Sequence, residues 1–320
     1  MNIAVFAYNF PQTLARRFLQ PWRRLSQIAR SSGPVATVRH LILWPVRQLR
    51  FFRILFAIKS SESIEDRFTT IYTHNLWGSK ESVSGTGSNL PYTKNLRTQL
   101  PDLLRAHGIK TVFDGPCGDF HWMGDVVQKT AIRYVGGDIV KPLIEKLCRS
   151  GSSERISFIQ IDLTQGEFPS ADLMICRDCL FHLSYADCLA VLRNFLSAGI
   201  PLLLTTTHEL PKGMSNHDIA TGDFRLMDLF QPPYGFPADV QARIEDYLPP
   251  DPRRFMCLWS REQVSDAVES LAAYFADAGS PSPGNPGAVD PQVYRLAVKE
   301  ASGEGMTRET PRQRARREAA

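Results

Sequence analysis

The stretch from Val112 to Met123, Val-Phe-Asp-Gly-Pro-Cys-Gly-Asp-Phe-His-Trp-Met, decides the fold of this chain. It opens as a short apolar run that ends at Asp114, continues through small residues and enters a second apolar segment near Trp122. This order predicts a strand, a tight turn and a helix, a geometry that brings backbone N–H groups close to a ligand. The stretch therefore predicts one unit of an α/β sheet with a binding site at its turn.

A second strand with the same ending follows along the chain. Residues 134–139 read Tyr-Val-Gly-Gly-Asp-Ile and place Asp138 20 residues after Gly118. Nucleotide-binding α/β folds use an acid at about this distance to hold ribose hydroxyls. The two strand-end acids together predict a cofactor that contains adenosine.

The composition indicates a globular chain with an uneven charge distribution. It has 320 residues, 43% of them hydrophobic, and a net charge of +4. Residues 1–60 hold ten Lys or Arg and no acid, which leaves a mildly acidic remainder with 27 basic and 33 acidic residues. The six cysteines lie mostly in apolar stretches, which is typical of free thiols in a reducing compartment. We therefore expect a cytoplasmic protein.

The basic N-terminus includes an amphipathic stretch at residues 41–58. Its arginines Arg47, Arg50 and Arg53 recur every three residues among aromatic and aliphatic side chains. This pattern allows a helix to lie on an anionic membrane surface, so we expect peripheral contact with the inner face of a membrane. An extra helix packed on the domain and a transit peptide explain the same residues. The sequence contains no uninterrupted apolar run long enough to predict a spanning helix.

Apolar segments with strand and helix periods alternate through the body of the chain. The predicted strands are 111–114, 133–137, 156–161, 172–176, 200–206, 255–259 and 293–298. The predicted helices are 93–107, 122–129, 140–149, 185–197 and 261–278. Alternating strands and helices imply a mostly parallel sheet, so we predict a Rossmann-like α/β fold with seven strands, helices on both faces and an N-terminal helical arm.

Three regions complete the predicted organisation. A basic aromatic arm occupies 1–65, one catalytic domain occupies 66–300, and a disordered tail occupies 301–320. Within the domain, the Ser/Gly-rich segment 78–88 is expected to be irregular. Trp77 and residues 84–88 are predicted to close the cleft, and the long polar and aromatic insertion 216–237 is predicted to form a lid over a substrate, with a packed surface loop as the alternative.

The motifs in this order resemble class I S-adenosylmethionine-dependent methyltransferases. The resemblance rests on strand-Asp-turn-helix, strand-Gly-x-Asp, Gln160-Ile161-Asp162-Leu163 and the string Cys-Arg-Asp-Cys-Leu-Phe-His-Leu at 176–183, and it covers roughly residues 70–300. The strings Pro-Cys-Gly-Asp-Phe-x-Trp-Met and Cys-Arg-Asp-Cys-Leu-x-His-Leu-Ser are similar to a bacterial subgroup of methyltransferase-domain proteins. The family's usual glycine loop is altered here, because Pro116 and Phe120 replace its outer glycines and only Gly118 remains.

The resemblance implies the residues that bind the donor S-adenosyl-L-methionine. Asp114 and the turn 116–120 would contact its amino-acid end, Asp138 its ribose, and Asp162 with Leu163 its adenine. Arg177 and Asp178 would lie beside the reacting methyl group. The full set of predicted donor-binding residues is Trp77, Asp114, Pro116, Cys117, Gly118, Phe120, Asp138, Ile139, Asp162, Leu163 and Arg177.

Three residues are candidates for acid–base chemistry. His208 follows the apolar run 202–207 and leaves its strand at the edge where open α/β sheets bind ligands, so it is the first candidate for a general base. Asp178 and His182 are one helical turn apart and are the other two. A core or cap histidine is the alternative at 182. The spacing of Cys176 and Cys179 is that of a metal half-site, but no second pair matches it, so we predict buried thiols and no metal.

The predicted function is methyl transfer from S-adenosyl-L-methionine to a small-molecule or glycan-type acceptor, at oxygen. A NAD-dependent oxidoreductase would share the strand-turn-helix and the ribose acid. A non-catalytic module docked on a membrane surface is the other alternative. The charge distribution argues against a nucleic-acid substrate, because the basic residues concentrate at the two termini.

Overall fold

The computed structural model describes residues 63–277 without a gap and, before them, residues 49, 52–54, 56–58, 60 and 61. Seven strands form one sheet in the order β3-β2-β1-β4-β5-β7-β6. The strands are β1 (Thr111–Asp114), β2 (Arg133–Asp138), β3 (Ile156–Gln160), β4 (Leu173–Cys176), β5 (Leu202–His208), β6 (Ala242–Glu245) and β7 (Arg254–Ser260). β7 is antiparallel to both of its neighbours, and the other strands are parallel.

Six helices of the continuous segment pack around this sheet. They are α1 (Ile64–Thr73), α2 (Lys94–Ala106), α3 (Met123–Gln128), α4 (Lys141–Gly151), α5 (Tyr185–Ser197) and α6 (Arg261–Asp277). The apolar sides of α2, α3 and α4 bury one sheet face, and those of α5 and α6 bury the other. The Rossmann-like, mostly parallel sheet with helices on both faces, predicted from the alternating pattern, is confirmed.

Adjacent strand residues divide between the two cores. In β4, Leu173 and Ile175 belong to the core under α2–α4, while Met174 and Cys176 belong to the core under α5 and α6. All four are buried, as expected for a central parallel strand covered on both faces. This burial explains why the strand is a continuous apolar run. Arg177 and Asp178 directly follow this buried strand and lie at the carboxyl edge of the sheet.

The closing edge of the sheet differs from the predicted one. The strand predicted at 255–259 is β7, but its edge partner is Ala242–Glu245, which follows the predicted insertion 216–237 in a stretch where no element was predicted. The strand predicted at 293–298 and the tail 301–320 lie outside the described residues. The prediction missed β6 because only Ile244 of its four residues is buried, so it lacks a strong apolar period.

Two short 3-10 turns lie outside the predicted elements. Thr86–Ser88 forms one inside the Ser/Gly-rich segment predicted to be irregular, and Leu180–His182 forms the other shortly after β4. Residues 209–241, which contain the predicted lid, hold no helix or strand. Several of their apolar side chains are nonetheless buried, including Met227 and Leu229, so this segment, the insertion 209–241, is a packed part of the domain.

The predicted N-terminal arm lies mostly outside the described residues. Residues 52–54, 56–58 and 60 are helical, and Ile58 packs with Ile71 and Leu76. Leu49 and Phe56 are exposed, by 64% and 74%. Within the part of the chain that the structure describes, no helix is both long and apolar enough to cross a bilayer. Peripheral membrane contact through 41–58 stays a prediction, as do the cytoplasmic location and the domain limits.

Candidate active site

A cavity of about 310 Å³ opens at the carboxyl edge of the sheet. Parallel strands end there, and open α/β sheets bind their ligands at this edge. The cavity is lined by thirteen of the fourteen residues singled out from sequence, namely Trp77, Asp114, Pro116, Cys117, Gly118, Asp138, Ile139, Asp162, Leu163, Arg177, Asp178, His182 and His208. The structure therefore brings the predicted donor-binding and catalytic residues to one place.

Phe120 is the predicted site residue that does not line the cavity. Its ring packs against Tyr134 and Phe158, with centroid distances of 4.9 and 5.2 Å. Its backbone has a φ of 59°, which is uncommon for a residue with a side chain. Phe120 therefore fills the core beneath the turn, and its side chain offers no contact to a ligand in the cavity.

Asp114 ends β1 as a buried carboxylate. The hydroxyl of Tyr134 donates a hydrogen bond to its Oδ2 at 2.7 Å. Burial raises the pKa of Asp114 to about 7, although the Tyr134 hydrogen bond and the charge of Arg177 act in the opposite direction. Near pH 7 the side chain is therefore present in both its protonated and its ionised form. A cation or a hydroxyl donor in the cavity would favour the ionised form.

Asp138 ends β2 and is tied to two backbone N–H groups. Gly118 donates to its Oδ2 at 3.1 Å, and Val140 donates to its Oδ1 at 3.0 Å. Burial nevertheless raises the pKa of Asp138 to about 6. Each oxygen retains a further acceptor position, because a carboxylate offers about four lone-pair sites. Asp138 can therefore accept two further hydrogen bonds from hydroxyl groups in the cavity.

Asp162 and Leu163 follow β3 and differ in what they present. The carboxylate of Asp162 accepts from the backbone N–H and the hydroxyl of Thr164, at 2.8 and 2.7 Å, so it stabilises its own turn. Leu163 is buried, and an ideal Cβ on Gly115 would lie 2.9 Å from its Cδ2. Leu163 thus packs directly over the β1 turn and supplies an apolar wall beside Ile139.

Asp119 fastens an upstream segment onto the β1 turn. Its carboxylate accepts hydrogen bonds from the Ser82 hydroxyl at 3.0 Å and the Val83 N–H at 2.9 Å. In return, the Asp119 N–H donates to Ser84 Oγ at 2.8 Å. Gly118 has a φ of 54°, and a Cβ there would lie 2.3 Å from the same Ser84 oxygen. Glycine at 118 is therefore required by the Ser84 contact as well as by the backbone conformation.

Replacing Asp119 with alanine is expected to loosen residues 82–88 without unfolding the domain. The change removes two acceptors of this segment, each a charge-assisted contact worth about 1.5–3 kcal/mol. Amide hydrogen exchange of 82–88 should rise by roughly tenfold or more. Asp125→Ala, a change in a surface carboxylate that pairs with Arg97 and Lys129, is the matched control. Equal hydrogen-exchange protection of residues 82–88 in both variants would contradict the conclusion that Asp119 holds this segment against the β1 turn.

Four charged side chains close the far end of the cavity, and we call them the Arg–Asp cluster: Arg177, Asp178, Asp246 and Arg254. Asp178 is partly exposed to the cavity, and the other three are buried. Arg177 donates to Asp246 through Nε at 2.8 Å and through Nη2 at 3.1 Å. Asp178 lies between the two guanidinium groups, 3.2 Å from Arg177 Nη1 and 2.9 Å from Arg254 Nη1. The cluster joins the ends of β4 and β7 and has no net charge.

The cluster also contacts Gly87 in the Ser/Gly-rich segment and determines the ionisation state of Asp178. Arg177 Nη2 donates to the Gly87 carbonyl at 2.8 Å. Although burial opposes its ionisation, Arg177 and Arg254 lower the pKa of Asp178 below its usual value. Asp178 is thus a permanently ionised hydrogen-bond acceptor, which makes it a poor proton acceptor in a reaction.

The two candidate histidines are neutral. Burial, together with Arg254, lowers the pKa of His208 to about 3, and burial also lowers the pKa of His182. His182 Nδ1 lies 2.8 Å from the Asp223 carbonyl oxygen, which accepts only from a protonated nitrogen. We therefore assign the proton of neutral His182 to Nδ1 and the lone pair to Nε2. His208 Nδ1 lies 3.3 Å from both the oxygen and the nitrogen of the Met227 backbone.

Sequence reasoning missed several residues of this site. Arg254 and Tyr92 line the cavity, and Asp246 forms ion pairs with both arginines of the cluster. Phe224 also lines the cavity, and it was predicted only as part of the lid 216–237. The guanidinium of Arg254 lies 4.9 Å from the ring centroid of Tyr92. Arg254 directly precedes the apolar run of β7, so its position at a strand end was the available signal. β7 runs antiparallel, and its beginning therefore meets the ends of the parallel strands.

Comparisons with known proteins give a likeness in structure alone. No protein-family model matches the chain, and no curated protein matches its sequence. Magnesium protoporphyrin IX methyltransferase from Synechocystis PCC 6803, solved with bound S-adenosylhomocysteine, is 14% identical, with 62% of this chain and 98% of that chain covered and a TM-score of 0.46.

Two further solved structures are similar to the same degree. An O-methyltransferase family protein from Burkholderia thailandensis is 16% identical, with 72% of this chain and 73% of that chain covered and a TM-score of 0.44. Human N-acetylserotonin methyltransferase, solved with S-adenosylmethionine, is 12% identical, with 66% of each chain covered and a TM-score of 0.41.

Proposed function

We propose that this protein transfers a methyl group from S-adenosyl-L-methionine to an oxygen atom of a small-molecule acceptor. The observation that carries the proposal is the convergence of two buried strand-end carboxylates, Asp114 and Asp138, on one cavity that also holds neutral His182 and ionised Asp178. The carboxylate pair suits a cationic nucleoside donor. The imidazole and the second carboxylate suit an acceptor hydroxyl.

The residues present fit the proposed donor. Asp138 has acceptor positions for two ribose hydroxyls, and Ile139 and Leu163 offer apolar walls for adenine. Asp114 supplies a negative charge for the donor's α-ammonium group. An NAD-dependent activity would need room for a pyrophosphate at the β1 turn. The hydrogen bond from the Asp119 N–H to Ser84 Oγ holds Ser84 against Gly118 at that turn. The occupied turn favours the methyl donor over the dinucleotide.

The chain's own groups have separate tasks in this reaction. S-adenosyl-L-methionine, when bound, supplies a methyl group already activated by a positive sulfur. The protein needs only to orient the acceptor oxygen and to remove its proton. We assign proton removal to Nε2 of His182, because Nδ1 is committed to Asp223. His208, with its pKa of about 3, and Asp178, which is held ionised, orient the acceptor.

The donor's affinity is expected to rise with pH. In the free protein, Asp114 and Asp138 have pKa values of about 7 and about 6, and a bound cation and hydroxyl donors would lower both. Binding between pH 5 and 7 therefore releases protons, and affinity should increase by up to about tenfold per pH unit for each carboxylate. Titration calorimetry in two buffers of different ionisation enthalpy counts the released protons. Proton uptake, or an affinity that falls from pH 5 to 7, would contradict this reading.

The experiment that tests the function is formation of S-adenosylhomocysteine with a panel of small phenols, aliphatic alcohols, monosaccharides and amines. We expect turnover with a hydroxyl compound, and a loss of about 10²–10⁴-fold in kcat for His182→Gln with unchanged donor affinity. His74→Gln, at an exposed histidine outside the cavity, is the control. Donor binding without turnover on any compound would favour the non-catalytic module. The monosaccharides test the predicted glycan-type acceptor.

A further inference from the structure

We propose that the acceptor is a phenol, a flat aromatic compound whose ring lies against one wall of the cavity and whose hydroxyl meets Asp178 and Arg254. This inference rests on the proposed function and names its substrate class. Its two parts, an aromatic wall and a polar end that suits a neutral hydroxyl, come from separate groups of residues.

The aromatic wall consists of Trp77, Phe181, His182, His208 and Phe224, all of which line the cavity. Phe181 is at its centre, with ring centroids 4.6 Å from His182, 5.0 Å from His208 and 5.4 Å from Phe224. Trp77 extends the wall, 6.4 Å from His182. Aromatic rings at such separations attract a further ring by about 0.5–1.5 kcal/mol beyond its area burial. The wall therefore favours a ring over a saturated group of equal size.

The wall carries no charge, because burial keeps both of its imidazoles neutral. The pKa values of His182 and His208 are lowered, so neither ring becomes an imidazolium near pH 7. Neutral imidazoles pack as aromatic rings and do not repel the positive sulfur of the donor. The wall is assembled from four separate parts of the chain: the turn after α1, the 3-10 turn after β4, the end of β5 and the insertion 209–241.

The polar end of the cavity suits a group that both donates and accepts a hydrogen bond. Among the described residues, no atom accepts a hydrogen bond from Arg254 Nη2, although Asp246 Oδ2 lies 3.4 Å away as an ion-pair partner. The Arg254 side chain is only 9% exposed, and a buried donor without an acceptor is costly. The acceptor oxygen would accept a hydrogen bond from Nη2, and its O–H group would donate a hydrogen bond to ionised Asp178, which orients the hydroxyl until His182 removes the proton.

Gly87 keeps this ion pair accessible from the cavity. An ideal Cβ at position 87 would lie 3.0 Å from Asp178 Oδ2 and 3.2 Å from Arg254 Nη2. Gly87, Asp178 and Arg254 all line the cavity, so any larger residue at 87 would cover the pair. The absence of a side chain leaves room for a small polar group beside both partners.

Charge distinguishes a phenol from other aromatic compounds. The Arg–Asp cluster contains two arginines and two aspartates, so it gives no net attraction to an ion. A benzylammonium would place its charge near two guanidinium groups, and a benzoate would place its charge near Asp178. A neutral hydroxyl avoids both repulsions, and Arg254 would also stabilise the negative charge that develops on its oxygen.

Ligand-observed NMR on the protein saturated with S-adenosylhomocysteine tests the inference through binding rather than turnover. The probes are 4-methylphenol, 4-methylcyclohexanol, 4-methylbenzoate and 4-methylbenzylammonium. We expect 4-methylphenol to have a Kd at least about fivefold lower than the other three. Equal Kd values for 4-methylphenol and 4-methylcyclohexanol, or a preference for either ion, would overturn the proposal.

A pair of variants locates the binding. Phe224→Leu should weaken 4-methylphenol binding by about 2–12-fold, while S-adenosylhomocysteine binding stays unchanged. Phe230→Leu is the matched control, because Phe230 lies in the same insertion with the same partial burial but packs on Trp259 outside the cavity. Equal effects of the two variants would overturn the assignment of the wall. Absent S-adenosylhomocysteine binding would instead be the failure of the proposed function, and with it of this inference.

Discussion

Replacing Arg177 with methionine is expected to lower the free energy of unfolding by about 3–5 kcal/mol. Arg177 supplies two hydrogen bonds to Asp246, whose side chain is fully buried, and one to the Gly87 carbonyl. Without it, the cluster keeps two aspartates and one arginine and has an uncompensated buried charge. Breaking a buried pair by removing one partner costs more than removing both, because the remaining charge stays away from water. Denaturant unfolding at pH 7 measures the loss.

Two further variants separate charge balance from simple loss of packing. Arg177→Met combined with Asp246→Leu leaves one arginine and one aspartate in the cluster, so this double variant should be more stable than the single one. Arg253→Met is the matched control, since Arg253 adjoins Arg254 in sequence but forms ion pairs with Glu209 and Glu245 in which all three side chains are more than half exposed. Solvent screens such pairs, and we expect little change. A double variant less stable than Arg177→Met would contradict the charge argument.

Replacing Asp138 with asparagine is expected to weaken binding of S-adenosylhomocysteine by roughly 10–100-fold. The carboxylate is proposed to accept both ribose hydroxyls, and hydrogen bonds to a charged group contribute about 1.5–3 kcal/mol. The amide keeps the shape of the side chain but loses the charge and half of the accepting capacity. Titration calorimetry gives the affinity, and thermal unfolding confirms that the variant is folded.

Asp172 provides a closely matched control for this change. Its Oδ2 accepts the backbone N–H groups of Lys110 and Thr111 at 2.9 and 2.8 Å, so it also holds two backbone donors with one carboxylate. It lies just before β4, at the opposite edge of the sheet from the cavity. Asp172→Asn should leave donor affinity unchanged. Equal losses of affinity in the two variants would show that the effect is one of fold stability rather than of ribose binding.

The arrangement of the sheet was predictable because its local signals are strong. The central strands β1, β4 and β5 are almost wholly buried, and Asp114 and Asp138 each end a strand, so their meeting at one edge follows from parallel pairing. β6 was not predictable from its pattern, because three of its four residues are not buried. Its place at the sheet edge is fixed by pairing with β7, a contact between residues that are not neighbours in sequence.

The site was predictable only where the chain places its residues on consecutive strand ends. His182 and His208 could be identified as cavity residues, but their neutral state depends on burial by the insertion and on Arg254, which the sequence does not reveal. The Arg–Asp cluster joins residues 177 and 178 to residues 246 and 254. These residues are far apart in sequence, so the hydrophobic periodicity of either segment could not predict their contact. Phe120 shows the opposite case, because it was predicted to bind the donor from its place in the β1 turn, whereas its ring packs against Tyr134 and Phe158.

The most direct test of the central claim is a calorimetric titration of the wild-type protein with S-adenosyl-L-methionine, S-adenosylhomocysteine and NAD at pH 7.5. We expect the first two to bind at one site per chain with micromolar Kd and NAD not to compete with them. Binding of NAD alone would replace the methyl donor with a dinucleotide. Binding of none of the three would contradict the assignment of Asp114 and Asp138 to a nucleoside donor.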